Sequence, residues 1–419
     1  MNVFNETLKK IGGKRIGYIY PKWEFNVKSP LSAGPSIYRL DDPIVLFGTR
    51  NGVISALNKE GRLLWNYKTK EDLTATEKMF RETEGEDAIT SSPVVSALIP
   101  KKEHIVFFGT ESGRLVAIEP NGKVLFEYKA RSAVRTEPLI ADINQDKEQE
   151  VLFGSDDSFV YALSSKGKLL WRFKADSAIS SGFALLDSKR GMQIVFGTAD
   201  GKFYSVNNEG EKLWEYATKG KITTLPIIAS LKGDQSFQVI FGSFDGNLYV
   251  LDDKGYIVWS YATGGRITSH PVVKDINNDG KPEIIFGSCD CCLYVLSSEG
   301  SKLWSYETDF WIVASPIVAD IDNDSKDEII VGSFDSFVYV LDAEGNFILD
   351  YLPGATAVAS HRGIIGMASE PGNYVGQRLW QYKTPGMILG LSLMADGREN
   401  NVIVLTDKLK ILNIAHKKE

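Results

Sequence analysis

The stretch VIFGSFDGNLYVLDDKGYIVWSY, residues 239–261, decides the fold because close variants of it recur along the chain. Each copy joins an apolar run ending in glycine to a second apolar run through a short polar turn, and closes on an aromatic or apolar phrase. The leading glycines recur about every 45 residues, a period that marks a repeat architecture, at Gly48, Gly109, Gly154, Gly197, Gly242, Gly287 and Gly332.

Each unit has the pattern of short antiparallel strands. Its apolar runs are rich in Val, Ile, Phe and Tyr and are separated by Gly, Asp and Asn clusters, whereas helical periodicity is absent. A further strand precedes each glycine, as in SHPVVKD and ASPIVAD, which makes four strands per unit. Four strands in a unit of this size are typical of one β-propeller blade, and we label them A to D from the inside outward.

The two chain ends complete each other. Trp23 precedes Pro35 by the same spacing as Trp259 precedes Pro271, so the segment around Trp23 is predicted to be a D strand without its own A, B and C strands. The C-terminal segments MILGLSLMAD, NVIVLTD and LKILNIA have the pattern of A, B and C strands without a D strand. The sequence therefore predicts one all-β domain over residues 1–419, an eight-bladed propeller whose last blade is closed by the N-terminal strand.

Two segments interrupt the repeat. The charged segment at residues 70–90 enters before blade 2, and its length and composition predict a short surface helix. In blade 7 the closing phrase occurs twice, and Trp380 rather than Leu349 has the spacing to the next unit that the other blades show. Residues 346–376 are therefore predicted to be an insertion that extends the C–D hairpin of blade 7.

Composition excludes several classes of protein. The 419 residues carry a net charge of −7 with both signs mixed, which argues against a general nucleic-acid binder. No apolar run is long enough to span a membrane and no signal peptide is visible, so we expect a cytoplasmic protein, or an extracellular one if the chain is a processed form. Three clustered cysteines do not fit a secreted disulfide scaffold.

The phrase DGNLYVLDDKGYIVWSY resembles the repeats of the quinoprotein-like, or PQQ-repeat, β-propellers, and the resemblance covers nearly the whole chain. In that family the segment that ends each repeat, which contains a tryptophan, docks neighbouring blades. The resemblance implies the same role for the tryptophans of this chain. The same repeat occurs in PQQ-dependent dehydrogenases and in non-catalytic scaffolds, so the resemblance indicates the fold rather than the chemistry. The chain shows no catalytic constellation beyond its repeats, which favours a protein that is not an enzyme.

The predicted A–B loops DINQDKEQE, DINNDGKPE and DIDNDSKDE resemble the calcium loops of FG-GAP and integrin-type propellers. Carboxylates and amides at alternating positions can converge on one hard cation, and a glycine at the sixth position permits the sharp turn. The predicted ligands are Asp275, Asn277, Asp279, Glu283 and the carbonyl of Lys281 in blade 6, Asp320, Asp322, Asp324 and Glu328 in blade 7, and Asp142, Asn144, Asp146 and Glu150 in blade 3.

Blade 6 is the best match among these loops, because Gly280 stands where blades 3 and 7 have Lys147 and Ser325. A bound Ca²⁺ would be structural, since it offsets the repulsion between carboxylates gathered at the edge of a blade. The alternative is an Asx-rich turn in which the same side chains accept hydrogen bonds from their own backbone and bind no metal.

All three cysteines lie in the B–C turn of blade 6, in the stretch GSCDCCLYVL. They allow three interpretations: small turn residues that stay reduced, a Zn²⁺ or Cu⁺ site made by Cys289, Cys291 and Cys292 with the imidazole of His270, or a bridge between Cys291 and Cys292. The third follows only from the resemblance, because some PQQ-dependent alcohol dehydrogenases carry an adjacent-cysteine disulfide beside the cofactor. The aspartate of this turn, Asp290, is predicted to accept turn amide hydrogens.

The B–C turns and D–A connections share one face of a propeller, where their side chains rim the central funnel. The residues at these positions differ from blade to blade, whereas the strands are nearly uniform. This variation is typical of a recognition surface, and it is equally typical of neutral drift on solvated loops. We therefore expect a non-catalytic scaffold that binds a protein or small-molecule ligand at the funnel, with a quinoprotein-like oxidoreductase or a metal-thiolate redox site as the alternative. The candidate binding residues are Arg135, Glu137, Lys221, Arg266, His270 and Trp311.

Overall fold

The computed structural model describes residues 18–39, 42–69, 87–98, 104–120, 122–188, 191–233, 236–343, 374–375, 378–395 and 399–417. Within these ranges the chain forms strands and turns, and no helix that is long and apolar enough to span a bilayer occurs among them. The insertions predicted at residues 70–90 and 346–376, including the predicted surface helix, lie almost entirely outside the described residues.

The strands form eight sheets, and each sheet is one blade. The first strand is β1 (Tyr18–Asn26). Blades 1 and 2 comprise β2 (Leu31–Arg39), β3 (Pro43–Thr49), β4 (Val53–Leu57), β5 (Leu63–Lys68), β6 (Val94–Ser96), β7 (Ile105–Gly109), β8 (Arg114–Ile118) and β9 (Val124–Lys129). Blades 3 and 4 comprise β10 (Leu139–Ala141), β11 (Glu150–Gly154), β12 (Phe159–Leu163), β13 (Leu169–Lys174), β14 (Ile179–Ser188), β15 (Gly191–Thr198), β16 (Lys202–Asn207) and β17 (Lys212–Ala217).

The second half of the ring continues in the same order. Blades 5 and 6 comprise β18 (Ile227–Ala229), β19 (Gln238–Gly242), β20 (Asn247–Leu251), β21 (Ile257–Ala262), β22 (Val272–Lys274), β23 (Glu283–Gly287), β24 (Cys292–Leu296) and β25 (Lys302–Glu307). Blade 7 comprises β26 (Ile317–Ala319), β27 (Glu328–Gly332), β28 (Phe337–Asp342) and, after the short strand β29 (Tyr374–Val375), β30 (Arg378–Lys383). Blade 8 comprises β31 (Ile388–Ala395), β32 (Asn400–Thr406), β33 (Lys410–Lys417) and the N-terminal β1.

The predicted eight-bladed propeller is confirmed, including the closure of its last blade. Strand β1 pairs antiparallel with β33, with Tyr18 opposite Lys417 and Asn26 opposite Lys410. The two ends of the chain are thereby hydrogen-bonded into one sheet, and no blade is left without its outer strand.

Blades 6 and 7 are linked by the short strand β29, which the sequence did not predict. It lies parallel to the outer strand of blade 6, with Tyr374 opposite Trp304. The outer strand of blade 7 then follows at β30, where Trp380 stands opposite Val340. Among the described residues, blade 6 is the sheet with five strands, because β29 is added at its outer edge.

Tryptophans of several outer strands fasten one blade to the next. The ring of Trp214 packs against Gly255 in the C–D turn of the following blade, where an added Cβ would lie 2.6 Å from it. Gly255 also has φ of +83°, a conformation that favours glycine. The same contact joins Trp171 to Gly210 and Trp259 to Gly300, so these tryptophans dock blades as the repeat implied.

Candidate functional site

One hydrogen bond per blade builds the rim of the funnel. The second residue of each B–C turn donates its backbone N–H to a D–A carbonyl at 2.8 to 3.1 Å. This bond confirms that the two kinds of connection share a face. The accepting residues, in the order of the blades that they precede, are Pro30, Ala88, Ala133, Ala178, Lys221, Arg266, Trp311 and Met387.

The repeated frame holds very different side chains in its two halves. Lys221, Arg266, Trp311 and Met387 follow one another around blades 5 to 8, and all four are exposed. The equivalent positions of blades 1 to 4 hold only proline and alanine. Ala88 is the accepting residue near the end of the insertion at residues 70–90, which lengthens the D–A connection before blade 2. The rim is therefore polarised, with large side chains on one half.

Further aromatic residues lie on the half of the rim that carries the large side chains. Phe310 and Trp311 are 43% and 46% exposed, and their ring centroids lie 5.2 Å apart. Phe334, from the B–C turn of blade 7, lies 6.4 Å from the Trp311 ring. Leu389 is also exposed and follows Met387 into blade 8. We call this set the rim patch; it consists of the exposed Lys221, Arg266, Phe310, Trp311, Met387 and Leu389 and the half-buried Phe244 and Phe334.

The charged groups differ between the halves in the same way. The Arg266 guanidinium lies over the Phe244 ring, 5.3 Å from its centroid. Neither it nor Lys221 makes an ion pair with any described residue. By contrast, Arg135 on the opposite half pairs with Glu111 at 2.7 Å and with Asp156 at 2.8 Å. The cationic groups of the rim patch are thus available to a ligand, whereas Arg135 is already neutralised.

The cysteine turn lies beside Arg266 in this rim. The Cys289 N–H donates to the Arg266 carbonyl at 2.8 Å, and its Sγ lies 4.0 Å from the Thr268 hydroxyl. Cys291 has φ of 73° at a position where most other turns have glycine. None of the three cysteines forms a disulfide, so the structure contains no Cys291–Cys292 bridge. Burial raises the pKa of Cys289, and raises that of Cys292 to about 11, which keeps both thiols protonated at neutral pH.

Asp290 holds the cysteine turn together, as predicted. Its Oδ1 accepts the Cys292 N–H at 3.1 Å, and its Oδ2 accepts the Gly264 N–H at 2.8 Å and the Tyr294 hydroxyl at 2.7 Å. Its negative charge is therefore committed to the fold. The Zn²⁺ or Cu⁺ site and a PQQ cofactor stay predictions.

Glu137 and His270 occupy equivalent places at the wall of the central channel, each directly before a proline. His270 Nδ1 accepts the Leu225 N–H at 2.9 Å, and the His270 N–H donates to Ser315 Oγ at 2.9 Å. These bonds join three consecutive blades, so His270 connects the channel wall rather than the cysteine turn. Burial lowers its pKa to about 4, which leaves the ring neutral.

Glu137 makes no hydrogen bond or ion pair with a described residue. Desolvation by the surrounding protein atoms raises the pKa of its carboxyl group to about 7. The side chain nevertheless keeps solvent-accessible surface toward the channel.

The three acidic A–B loops share one conformation on the opposite face. Lys147 and Ser325 adopt φ of 74° and 72°, close to the 86° of the equivalent Gly280. A left-handed conformation costs about 1 kcal/mol more for a residue with a side chain, so these two turns are strained relative to blade 6. In blade 6 the Asp275 carboxylate accepts the Gly280 N–H at 2.9 Å, as in the Asx turn of the metal-free interpretation.

The third position of these loops distinguishes blade 7. In blade 6 the Asn277 amide nitrogen lies 3.3 Å from carboxylate oxygens of both Asp279 and Glu283, and so bridges them. In blade 7 the equivalent residue is Asp322, which has no such donor. The ligand atoms of Asp320, Asp322 and Glu328 all lie within 4.8 Å of one another, which makes this the group among the described residues that could hold a metal ion.

Burial and like charges crowd the carboxylates of the blade 7 loop. Burial, together with repulsion from neighbouring carboxylates, raises the pKa of Glu328 to about 8. Blade 8 supports the loop, because the Asn400 amide donates to the Asp320 carbonyl at 2.6 Å. Sequence matching favoured blade 6 for its glycine. The geometry instead brings three carboxylates together in blade 7, at a loop position where blade 6 has an asparagine amide that bridges two carboxylates.

The ring of eight blades and its variable rim define a β-propeller repeat protein. A family model described as the lambda-carrageenase β-propeller domain matches residues 107–213, 183–262 and 238–317. These overlapping matches span residues 107–317, half of the 419 residues, so the chain belongs to this family of β-propeller domains. The family is neither of the two whose repeats the sequence resembles, although it shares the predicted fold.

Solved structures show the same fold. BamB from Moraxella catarrhalis is similar over 96% of this chain and 98% of its own, at 17% identity and a TM-score of 0.63. Sqt1 from Saccharomyces cerevisiae is similar over 97% and 100%, at 13% identity and a TM-score of 0.65. The C-terminal WD40 domain of Sif2 is similar over 96% and 99%, at 13% identity and a TM-score of 0.64. A comparison with curated proteins gave no match.

Proposed function

We propose that this protein is a non-catalytic propeller scaffold that binds a protein partner through the rim patch. The uneven distribution of large side chains around the rim supports the proposal. The same backbone hydrogen bond positions eight residues, and the large exposed ones all follow one another in blades 5 to 8. A contiguous exposed cluster that includes Trp, Phe and Arg is the composition enriched at the energetic centre of protein interfaces.

Side chains in the rim patch are also free to bind without disturbing the fold. Trp311 fastens the rim through its carbonyl oxygen, which accepts the Phe334 N–H at 2.9 Å. Its ring remains 46% exposed and is not needed for that contact. Truncating such a side chain removes contact area without removing a structural bond, so binding and stability can be separated by mutation.

The scaffold is proposed to bind calcium at its acidic A–B loops, with blade 7 first. Asp320, Asp322 and Glu328 supply the carboxylate oxygens that Ca²⁺ prefers, and their convergence supports the fit. A cation there would offset the mutual repulsion of these groups and stabilise the connection between β26 and β27. This role is structural and lies on the face opposite the rim patch.

A random-peptide display selected on the immobilised full chain tests the binding function. Enriched peptides would then be measured on the wild type, on Arg266→Ala/Trp311→Ala, and on the control Arg172→Ala/Leu170→Ala. The control is matched, because Arg172 also lies over a phenylalanine ring, at 4.8 Å, and Leu170 is 49% exposed on the outer strand of blade 3.

We expect binding to fall about tenfold or more on the rim variant, the effect of losing two anchor residues, and to stay unchanged on the control. The melting temperature of the rim variant should equal that of the wild type. A selection in which no peptide distinguishes the rim variant from the control would refute the rim as the binding site.

A further inference from the structure

The rim patch combines two kinds of group in a fixed order. Cationic Lys221 and Arg266 precede blades 5 and 6, and apolar Trp311 and Met387 precede blades 7 and 8. A ligand that crosses these blades therefore meets positive charge at one end and an apolar surface at the other. This order constrains the chemistry of the partner more than the fold does.

The cations lack a counter-charge among the described residues. The carboxylates in the B–C turns of the same two blades are engaged by backbone amides and tyrosine hydroxyls: Asp245 accepts the Lys219 N–H at 2.9 Å and the Tyr249 hydroxyl at 2.9 Å. Asp290 is held in the same manner by Gly264 and Tyr294. An incoming carboxylate would thus meet a guanidinium and an ammonium group without displacing an existing ion pair.

The position of Arg266 suits a carboxylate in particular. Its guanidinium lies over the Phe244 ring, 5.3 Å from the centroid, which restricts the side chain while leaving its N–H groups for other acceptors. A planar guanidinium that is already oriented loses less conformational entropy on forming a bidentate pair with a carboxylate.

The apolar end suits bulky side chains. Phe310, Trp311 and Phe334 form a connected aromatic surface, with centroid separations of 5.2 and 6.4 Å. Met387 and Leu389 continue it at 37% and 40% exposure. Flexible methionine beside rigid aromatic rings accommodates aromatic or aliphatic partners of several shapes.

We infer that the rim patch binds an acidic peptide segment that carries bulky apolar residues, with its carboxylates on Arg266 and Lys221 and its apolar side chains on Trp311 and its neighbours. This inference rests on the proposed function, because it names the partner class of the same surface. Charge complementarity selects this class over neutral or basic peptides, which leave the two cations uncompensated.

Three synthetic peptides of equal length test the inference. The first alternates Asp and Glu with Trp, Phe and Leu; the second replaces its acids with Lys; and the third replaces its apolar residues with Ser. Fluorescence anisotropy would measure each against the full-length wild type, Arg266→Glu/Lys221→Glu, Trp311→Ala and the control Arg172→Ala/Leu170→Ala. Dextran sulfate would serve as a competing anionic polymer.

We expect only the acidic apolar peptide to bind the wild type, with affinity that falls as salt rises. Trp311→Ala should weaken it about tenfold, the cost of losing an aromatic anchor, and the charge-reversed variant should prefer the lysine peptide. Binding should also slow alkylation of Cys289, whose backbone N–H donates to the Arg266 carbonyl, as followed by peptide mass spectrometry.

The other outcomes separate the two proposals. Preference of the wild type for the lysine peptide, or equal binding of the serine peptide, overturns the acidic apolar partner. Stronger rim-dependent binding of dextran sulfate overturns it in favour of an anionic polysaccharide. In each case, rim-dependent peptides from the display would still support the proposed function, whereas a display without such peptides would remove both.

Discussion

The two faces of the ring use the repeat differently. On one face, the acidic A–B loops of blades 3, 6 and 7 repeat both backbone and side chains, because carboxylates such as that of Asp275 accept the amides that hold the loop in shape. On the other face, the D–A connections repeat the backbone alone, since a carbonyl such as that of Trp311 makes the fastening contact. Side chains are therefore constrained on the face where they accept the hydrogen bonds that close the loop. They are free to vary on the face where a backbone carbonyl accepts that hydrogen bond instead.

The interface between blades supports both faces, so it should give the largest effect. Trp214→Ala removes a ring that packs on Gly255 and donates from Nε1 to Gln193 Oε1 at 2.9 Å. We expect a loss of about 3 kcal/mol in the free energy of unfolding, typical of truncating a packed tryptophan. Chemical denaturation would measure this loss, with Leu170→Ala as the exposed control. A loss no larger than that of the control would show that the Trp214 ring does not fasten blade 4 to blade 5.

We expect the second-largest effect from calcium, on the face that carries the acidic A–B loops. Millimolar Ca²⁺ should raise the melting temperature of the chelated protein by a few degrees, since binding to the folded state alone stabilises it. Asp322→Asn, which introduces the residue that blades 3 and 6 carry, should abolish much of this response while raising the melting temperature in chelator. The reason is that the amide can bridge carboxylates, as Asn277 does.

The reciprocal variant Asn277→Asp sharpens this test. It adds a carboxylate to the three that Asp275, Asp279 and Glu283 already supply in the blade 6 loop, and we expect it to enlarge the calcium response while lowering stability in chelator. Scanning calorimetry with and without chelator would measure both variants. An unchanged response in Asp322→Asn would contradict calcium binding at blade 7.

Glu137 lies in the channel between the faces and should make stability depend on pH. Its pKa is raised to about 7 in the folded protein, so the unfolded state releases its proton first as pH rises. Stability from this group is therefore present below the unfolded pKa of 4.5 and is lost as pH rises toward the folded pKa of about 7. Glu137→Gln should gain melting temperature at the upper end of this range and little at the lower end.

The control for this measurement is Glu209→Gln, which changes an exposed glutamate in an outer turn. Its melting temperature should follow that of the wild type at every pH. Parallel curves for Glu137→Gln and the wild type would show that channel water leaves the carboxyl group fully hydrated.

Arg135→Ala should give the smallest effect. It removes two exposed ion pairs, with Glu111 and Asp156, and such pairs contribute about 1 kcal/mol or less. Binding of the acidic apolar peptide should not change, because Arg135 lies on the opposite half of the rim. A marked loss of peptide binding would place the interface across the whole funnel and remove the distinction between its halves.

Particular residues show how far the sequence could be read. The Trp-to-Pro spacing that joins Trp23 to Pro35 sufficed to predict closure of blade 8, because a repeat imposes one distance between equivalent positions. Strand β29 could not be predicted in this way, since it lies inside an insertion that has no counterpart in other blades. Phe310 and Phe334 were missed as rim residues because their neighbours vary in size and polarity, which leaves no pattern to follow.

The sequence by itself determined the architecture: the blade count, the closure and the shared face of the turns all follow from a short-range repeat that each blade satisfies locally. Only the tertiary structure decided which residues meet. It brought Phe334 beside Trp311, set Arg266 over Phe244, and placed ligand atoms of Asp320, Asp322 and Glu328 within 4.8 Å of one another. Such contacts depend on side-chain direction and on the absence or presence of a neighbouring donor, and linear spacing does not record either.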